Sequence, residues 1–278
     1  MQMLKNLFIL TIIFLSTTLQ LFASQILLIG SDSREKGKRG NADVIMIITI
    51  KESEVKLTSI LRDTYVYVKG YGNQKLNAAY RLGGKELLVN TINANFKTKL
   101  SQTIVTDFRN TADIIDKFGG VTLHIDKGIH QYVNGYIDEQ ASLKGVPLLP
   151  LTKTGTIKMT GDQAVAYARV RVAGTIYDDH SRVERQKDVT KAVLNFAIKH
   201  KAKAGRYFYD LWSLIDTDIS MSVFWKICKM FLSKPIIPKS QVFPNYQYYT
   251  NKRIPDIGLV LKLNDFNKAS ADLNKLIK

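Results

Sequence analysis

The segment Gln25-Ile26-Leu27-Leu28-Ile29-Gly30-Ser31-Asp32-Ser33-Arg34, read together with Asp43-Val44-Ile45-Met46-Ile47-Ile48-Thr49-Ile50, decides the fold. Each contains a short, unbroken apolar run, and the second is rich in β-branched residues. A strand with apolar side chains on both sides is covered on both faces. Both runs also abut charge: Asp32 and Arg34 follow the first, and Asp43 opens the second. Burying such charges unpaired is costly, so their presence beside apolar strands needs a reason.

Reading outward, residues 55–61 alternate and form a hairpin with the second strand through 51–54. Residues 65–68 are extended and end in Gly70-Tyr71-Gly72-Asn73. Helices are expected over 76–81 and 84–96, a strand over 104–108, and a helix over 109–118 that Gly119 and Gly120 stop. A strand at 121–125 precedes a Gly/Pro-punctuated stretch, 134–155, expected to be a mobile loop. Thr160-Gly161-Asp162-Gln163 begins a helix to about Arg169. A long helix over 181–203 buries Val189, Ala192, Val193 and Phe196. Helices over 207–215 and 220–232, a strand near 258–263 and a helix near 265–277 complete the chain. Strands alternating with helices on both sides predict an α/β layered fold with a mixed central sheet. The 278 residues suffice for one substantial core.

The chain carries 40 Lys and Arg against 24 Asp and Glu, a net charge of +16. That surplus favours an anionic partner: nucleic acid, an anionic membrane surface or a phosphorylated substrate. A single cysteine, Cys228, has no disulfide partner and no metal-ligand spacing around it, and reads as a core filler on a helix. Residues 1–24 hold one Lys, a short apolar block and small residues near Ala23, the pattern of a secretory signal peptide or of an N-terminal membrane anchor. Either places the domain outside the cytoplasm, as a periplasmic protein or on the outer face of the cytoplasmic membrane, and argues against a nucleic-acid partner.

Four segments carry candidate chemistry. Asp32 and Asp43 on neighbouring strands can share a hard dication, and Mg²⁺ takes one or two carboxylates plus phosphate oxygens. The alternative is a turn residue and a strand-edge charge. Arg62 and Asp63 follow an apolar strand; arginine's planar fork suits phosphate, although a surface ion pair fits the same spacing. Arg169-Val170-Arg171, read as extended, points both guanidinium groups to one side. Arg182, Arg185 and Gln186 share a face at a helix start, an end that favours anions. Together they supply five arginines and two aspartates, the parts of a pyrophosphate site. Phosphoryl transfer needs charge neutralisation and alignment more than covalent help. Nucleophile-elbow, P-loop, dinucleotide-binding and HExxH motifs are absent from the sequence.

The order of these segments resembles the LytR–CpsA–Psr family. The resemblance rests on Gly30-Ser31-Asp32-Ser33-Arg34, Asp43, Ser59-Ile60-Leu61-Arg62-Asp63-Thr64, Lys75-Leu76-Asn77-Ala78-Ala79-Tyr80, Thr106-Asp107-Phe108 with Gly119-Gly120-Val121, Gly161-Asp162-Gln163 through Arg169-Val170-Arg171, and Arg182-Val183-Glu184-Arg185-Gln186. It covers about residues 25–200 and implies a three-layer α/β/α sandwich with a mixed central sheet. It implies an enzyme that moves a phosphorylated glycan from a polyprenyl-pyrophosphate carrier to a cell-wall polymer such as peptidoglycan, with pyrophosphatase activity as a side reaction. A non-catalytic polyprenyl-phosphate binding protein is the alternative.

It further implies that Asp32 and Asp43 hold Mg²⁺ (or Mn²⁺) and that Arg62, Arg169 and Arg171 grip the pyrophosphate, with Asp43 in the catalytic set. Arg34, Arg39, Lys75, Arg182, Arg185 and Gln186 become substrate contacts. A long apolar pocket holds the polyprenyl tail. The catalytic domain spans 25–205, and 206–278 is an extension packed on it. Two departures stand out: Asn41 occupies a position usually held by Arg, with Arg39 close by, and Leu61 replaces the usual Pro.

Overall fold

A computed structural model describes residues 23–33, 39–51, 54–172, 179–199, 212–225 and 238–278. Residues 1–22 of the expected leader, Arg34, Cys228 and most of the helices expected over 207–215 and 220–232 lie outside the described residues, whereas Ala23 and Ser24 already belong to the first strand.

Six strands form the central sheet: β1 (Ala23–Ser31), β2 (Ala42–Lys51), β3 (Glu54–Ile60), β6 (Gln102–Asp107), β9 (Asp216–Thr217) and β10 (Lys239–Phe243), in the order β10-β3-β2-β1-β6-β9. The sheet is mixed: β1 runs parallel to β6 and β10 parallel to β3, whereas β2 is antiparallel to both neighbours. The uniform apolar runs have the cause expected from them. Leu27, Ile29, Ile45 and Ile47 face one layer, while Ile26, Leu28, Met46 and Ile48 face the other. This is the layered α/β fold that the alternation of strands and helices predicts, in the α/β/α form that the resemblance implies.

On the first face lie α1 (Ala78–Phe96), the hairpin β4 (Tyr65–Val68) with β5 (Gly72–Lys75), and α6 (Phe266–Leu276). Helix α1 bends at Gly83 and Gly84, which is why two helices were expected there. Phe96 and Phe243 meet edge to face at 5.1 Å, locking α1 to β10. A separate cluster unites α2 (Phe108–Lys117), α3 (Lys127–Lys144), α4 (Gly161–Arg169) and α5 (Asp179–Lys199) with the hairpin β7 (Val121–Ile125) and β8 (Gly155–Met159). A second hairpin, β11 (Tyr249–Ile254) with β12 (Gly258–Leu263), lies near the carboxyl end.

The stretch 134–155 is not a mobile loop. Its first part belongs to α3, because Ile129, Val133, Ile137 and Gln140 recur at helical spacing and are buried. Gly145, in the left-handed region, ends that helix. The chain beyond is pinned by Asn134, which donates to the Leu151 carbonyl at 3.0 Å and accepts from the Leu151 N–H at 2.8 Å. Residues 155–159 then pair with β7 as β8.

Candidate functional site

The site begins with an irregularity between β1 and β2. Gly30 pairs with Val44 and Ser31 with Ala42, so Asp43 is an extra residue on β2. Such bulges re-aim a side chain beside a site. Gly30 is required here because a Cβ would sit 2.9 Å from the Val44 Cβ. The Asp32 N–H donates to the Asn41 carbonyl at 3.0 Å, closing the strand end.

Arg62 lies just beyond β3, on a segment bonded from three directions. The Leu61 N–H reaches the Phe243 carbonyl at 2.7 Å, the Asn77 N–H reaches the Arg62 carbonyl at 3.0 Å, and the Leu261 N–H reaches the Asp63 carbonyl at 2.9 Å. The backbone is therefore fixed before any ligand arrives. From it, Arg62 Nη1 donates to Asp43 Oδ1, and Arg62 Nε lies 3.6 Å from Asp63 Oδ2. Lys75 Nζ sits 2.8 Å from Asp63 Oδ1. Arg182, only 5% exposed, brings Nη1 to 3.9 Å from Asp43 Oδ2.

These residues line a cavity of about 260 Å³ together with Arg171, Gln186, Ser59 and the apolar Ile45, Ile60, Leu61 and Val183. Four cations, Arg62, Lys75, Arg171 and Arg182, face two carboxylates, Asp43 and Asp63. The lining therefore carries a surplus of positive charge inside a part-apolar wall, which strengthens its pull on an anion.

Arg169 does not line this cavity beside Arg171. A capping box joins Thr160 and Gln163, and α4 runs unbroken to Arg169 as its last helical residue. Val170, between the two arginines, is extended, whereas Arg169 itself is helical. Arg169 is turned to α3, where Nη2 meets Glu139 Oε1 at 3.0 Å and the guanidinium stacks over Phe108 and Tyr136 at 4.6 and 5.0 Å. It lines a second, mostly apolar cavity of about 100 Å³ with Leu28, Phe108, Val165 and Val189. Val44 and Gln186 line both cavities, so the two are neighbours across them.

Arg185 also departs from expectation. It is 5% exposed and donates Nη2 to the Val170 carbonyl, so it braces the turn between Arg169 and Arg171 and does not line the polar cavity. Arg39 packs against α1, with Nη1 3.0 Å from where a Cβ on Gly84 would lie. Asn41 accepts from Arg81 Nε at 3.2 Å, which brings a cation to that position from the adjacent helix.

Carboxylate oxygen is the donor type that a hard dication takes. Asp43 supplies two such oxygens at the cavity, Oδ1 paired with Arg62 and Oδ2 3.9 Å from Arg182 Nη1. Asp32 stands at the adjoining strand end, and phosphate oxygens can complete such a shell. Among the described residues, no group of three or more acidic, His or Cys side chains forms an all-protein cage.

Sequence reasoning missed a wall of the polar cavity. Asn251, Leu259 and Leu261 come from β11 and β12, far along the chain from every motif. They carry no local signal, because only the pairing of Leu261 with the segment at Asp63 and Thr64 brings them in.

A model of the LytR_cpsA_psr family matches residues 19–254. A polyisoprenyl-teichoic acid–peptidoglycan teichoic acid transferase, TagU of Halalkalibacterium halodurans, is 28% identical over 207 residues, covering 73% of this chain and 63% of that protein. TagT of Bacillus subtilis, a transferase of the same description, is 30% identical over 200 residues, covering 69% and 56%. The chain thus spans roughly three-fifths of the length of these curated relatives. A solved structure of TagT with bound octaprenyl pyrophosphate lipid superposes with a TM-score of 0.66 at 20% identity, covering 92% of this chain and 90% of that one. At that identity the superposition shows a common fold.

Proposed function

The chain belongs to the LytR_cpsA_psr family, and on that footing we propose that it transfers a phosphorylated glycan from a polyprenyl-pyrophosphate carrier to a cell-envelope acceptor such as peptidoglycan. The observation that carries this reading is the polar cavity, where four cations, Arg62, Lys75, Arg171 and Arg182, outnumber two carboxylates, Asp43 and Asp63. The description of the relatives as teichoic acid transferases supports it, as does the octaprenyl pyrophosphate lipid bound to TagT.

The chemistry follows from that lining. The pyrophosphate sits among the arginines, whose charge-assisted hydrogen bonds strengthen as negative charge gathers on the oxygens. An acceptor hydroxyl attacks the phosphorus that bears the glycan and releases its proton to solvent. The bond to the bridging oxygen breaks, and polyprenyl phosphate leaves with the electron pair. Asp43 and Asp32 would hold Mg²⁺ (or Mn²⁺), which when bound neutralises charge on the phosphate oxygens. Arg62, Arg171 and Arg182 orient the leaving phosphate, and Gln186 stands between this cavity and the apolar one. The apolar cavity receives the start of the isoprenoid chain, with Arg169 at its polar edge. Water in place of the acceptor gives pyrophosphatase activity. A domain that meets a lipid-borne substrate works at a membrane surface, consistent with an exported protein.

A transfer assay with a purified polyprenyl-pyrophosphate glycan and a wall-polymer acceptor tests this reading. Asp43→Ala is expected to lower turnover by about a hundredfold or more while lipid binding persists. Wild-type protein that binds the lipid yet releases no polyprenyl phosphate, with Mg²⁺ and acceptor present, would instead be a carrier.

A further inference from the structure

The β4–β5 hairpin carries a feature that the cation cavity does not use. Val66 and Val68 are buried in the core, so Tyr65 and Tyr67 project from the opposite face of the strand. Tyr67 is 58% exposed. The register places Tyr65 opposite Lys75 and Tyr67 opposite Asn73. Directly opposed residues of an antiparallel pair share a face. Lys75 is itself a wall of the polar cavity. The face therefore leads without interruption from the cavity, through Lys75 and Tyr65, to Tyr67 and Asn73 about 7 Å farther along the strand.

The backbone under the stripe is pinned. Asn95 of α1 accepts from the Tyr67 N–H at 3.2 Å and donates to the Tyr67 carbonyl at 2.8 Å. The hairpin turn is closed by the Tyr71 N–H to the Val68 carbonyl at 2.9 Å, with Gly70 at φ 84° supplying the left-handed position. Exposed tyrosines on a fixed backbone cost little conformational entropy to engage, and each offers an apolar ring face with a polar tip. Lys75 and Asn73 supply donors beside those rings.

We infer that this stripe is the subsite for the sugar attached to the pyrophosphate of the donor lipid, with Tyr67 and Tyr65 stacking on sugar ring faces. The inference rests on the proposed transferase reading, because the stripe joins the cavity at Lys75, beside the diphosphate which that reading places there. Charge adds to the continuity: the stripe begins at a cation shared with the diphosphate site and continues as neutral aromatic and amide groups, as suits an uncharged sugar.

The test compares two probes, polyprenyl pyrophosphate and the same lipid bearing one N-acetylhexosamine, on wild-type protein, Tyr67→Ala and Tyr67→Trp. Tyr67→Ala is expected to bind the sugar-bearing lipid about tenfold more weakly, with the sugar-free lipid unchanged. Tyr67→Trp, which keeps a stacking face, retains both. Equal loss of both lipids, or loss of neither, overturns the assignment. A loss seen only with a soluble peptidoglycan fragment moves the stripe to the acceptor and overturns it as well. Failure of wild-type protein to bind either lipid defeats the transferase reading instead, so the two failures are distinct.

Discussion

Arg171 lines the polar cavity from a turn outside any helix or strand, and the residue is exposed. Arg62 and Arg182, by contrast, are largely buried against Asp43. Removing a buried member of such a set leaves an uncompensated charge, so a loss of activity there is mixed with a loss of stability. Arg171 separates the two. Arg171→Ala is expected to reduce kcat/KM for transfer by about tenfold to a hundredfold while the melting temperature moves by no more than about 2 °C. Steady-state kinetics beside a thermal melt checks both halves. At this scale the motifs were informative: Asp43, Arg62, Lys75, Arg171, Arg182 and Gln186 are brought to one cavity. Arg169 and Arg185 are not: Arg169 is turned to Glu139, Phe108 and Tyr136, and Arg185 to the Val170 carbonyl. Spacing does not decide that.

Among the secondary elements, the strands most legible in sequence were β1, β2 and β3, whose apolar runs are buried from both sides. The polar strands were opaque. β5, Gly72 to Lys75, and β11, Tyr249 to Ile254, have no apolar pattern and exist through their partners. β9 is an extreme case, only two residues long. It is held to β6 by a charged latch in which Lys85 Nζ lies 2.7 Å from both Asp216 and Asp218, while Thr103 donates to Asp218. Burial pushes the Asp218 carboxyl up, but the hydrogen bonds from Lys85 and Thr103 and the Lys85 charge outweigh it, so the group titrates below its ordinary 3.8. A depressed carboxyl stabilises the fold above its unfolded value, and that contribution is lost as pH falls through the folded one. The stability difference between wild type and Asp218→Asn is therefore expected to hold constant from neutral pH down to ordinary carboxylate values, and to vanish below them. Urea melts followed through Trp212, which packs on Phe224 at 5.0 Å in the layer beside β9, measure it. A difference that is absent at pH 7, or that persists in strong acid, would break the latch argument.

In the molecule as a whole, the carboxyl-terminal segment completes both fold and cavity. β10 takes the sheet edge beside β3, and α6 packs on α1. Phe243, Leu263, Leu273 and Ile277 enter the same core cluster as Leu27 and Ile29. β11 and β12 then supply Asn251, Leu259 and Leu261 to the cavity wall. The family match to residue 254 reaches well into this segment, although the segment carries no distinct motif. Its role is carried by long-range pairing, which leaves no periodic trace. The layered class was readable because burial on two faces writes itself into composition; the closure of the cavity was not.

The proposal that this cavity holds a lipid pyrophosphate is tested most directly by native mass spectrometry of the protein extracted gently from its own membranes, with Arg62→Ala beside it. The expected result is a bound species with the mass of a polyprenyl mono- or diphosphate on the wild type, lost in the variant. A wild-type protein that emerges empty, and stays empty when offered polyprenyl pyrophosphate with Mg²⁺, would contradict it.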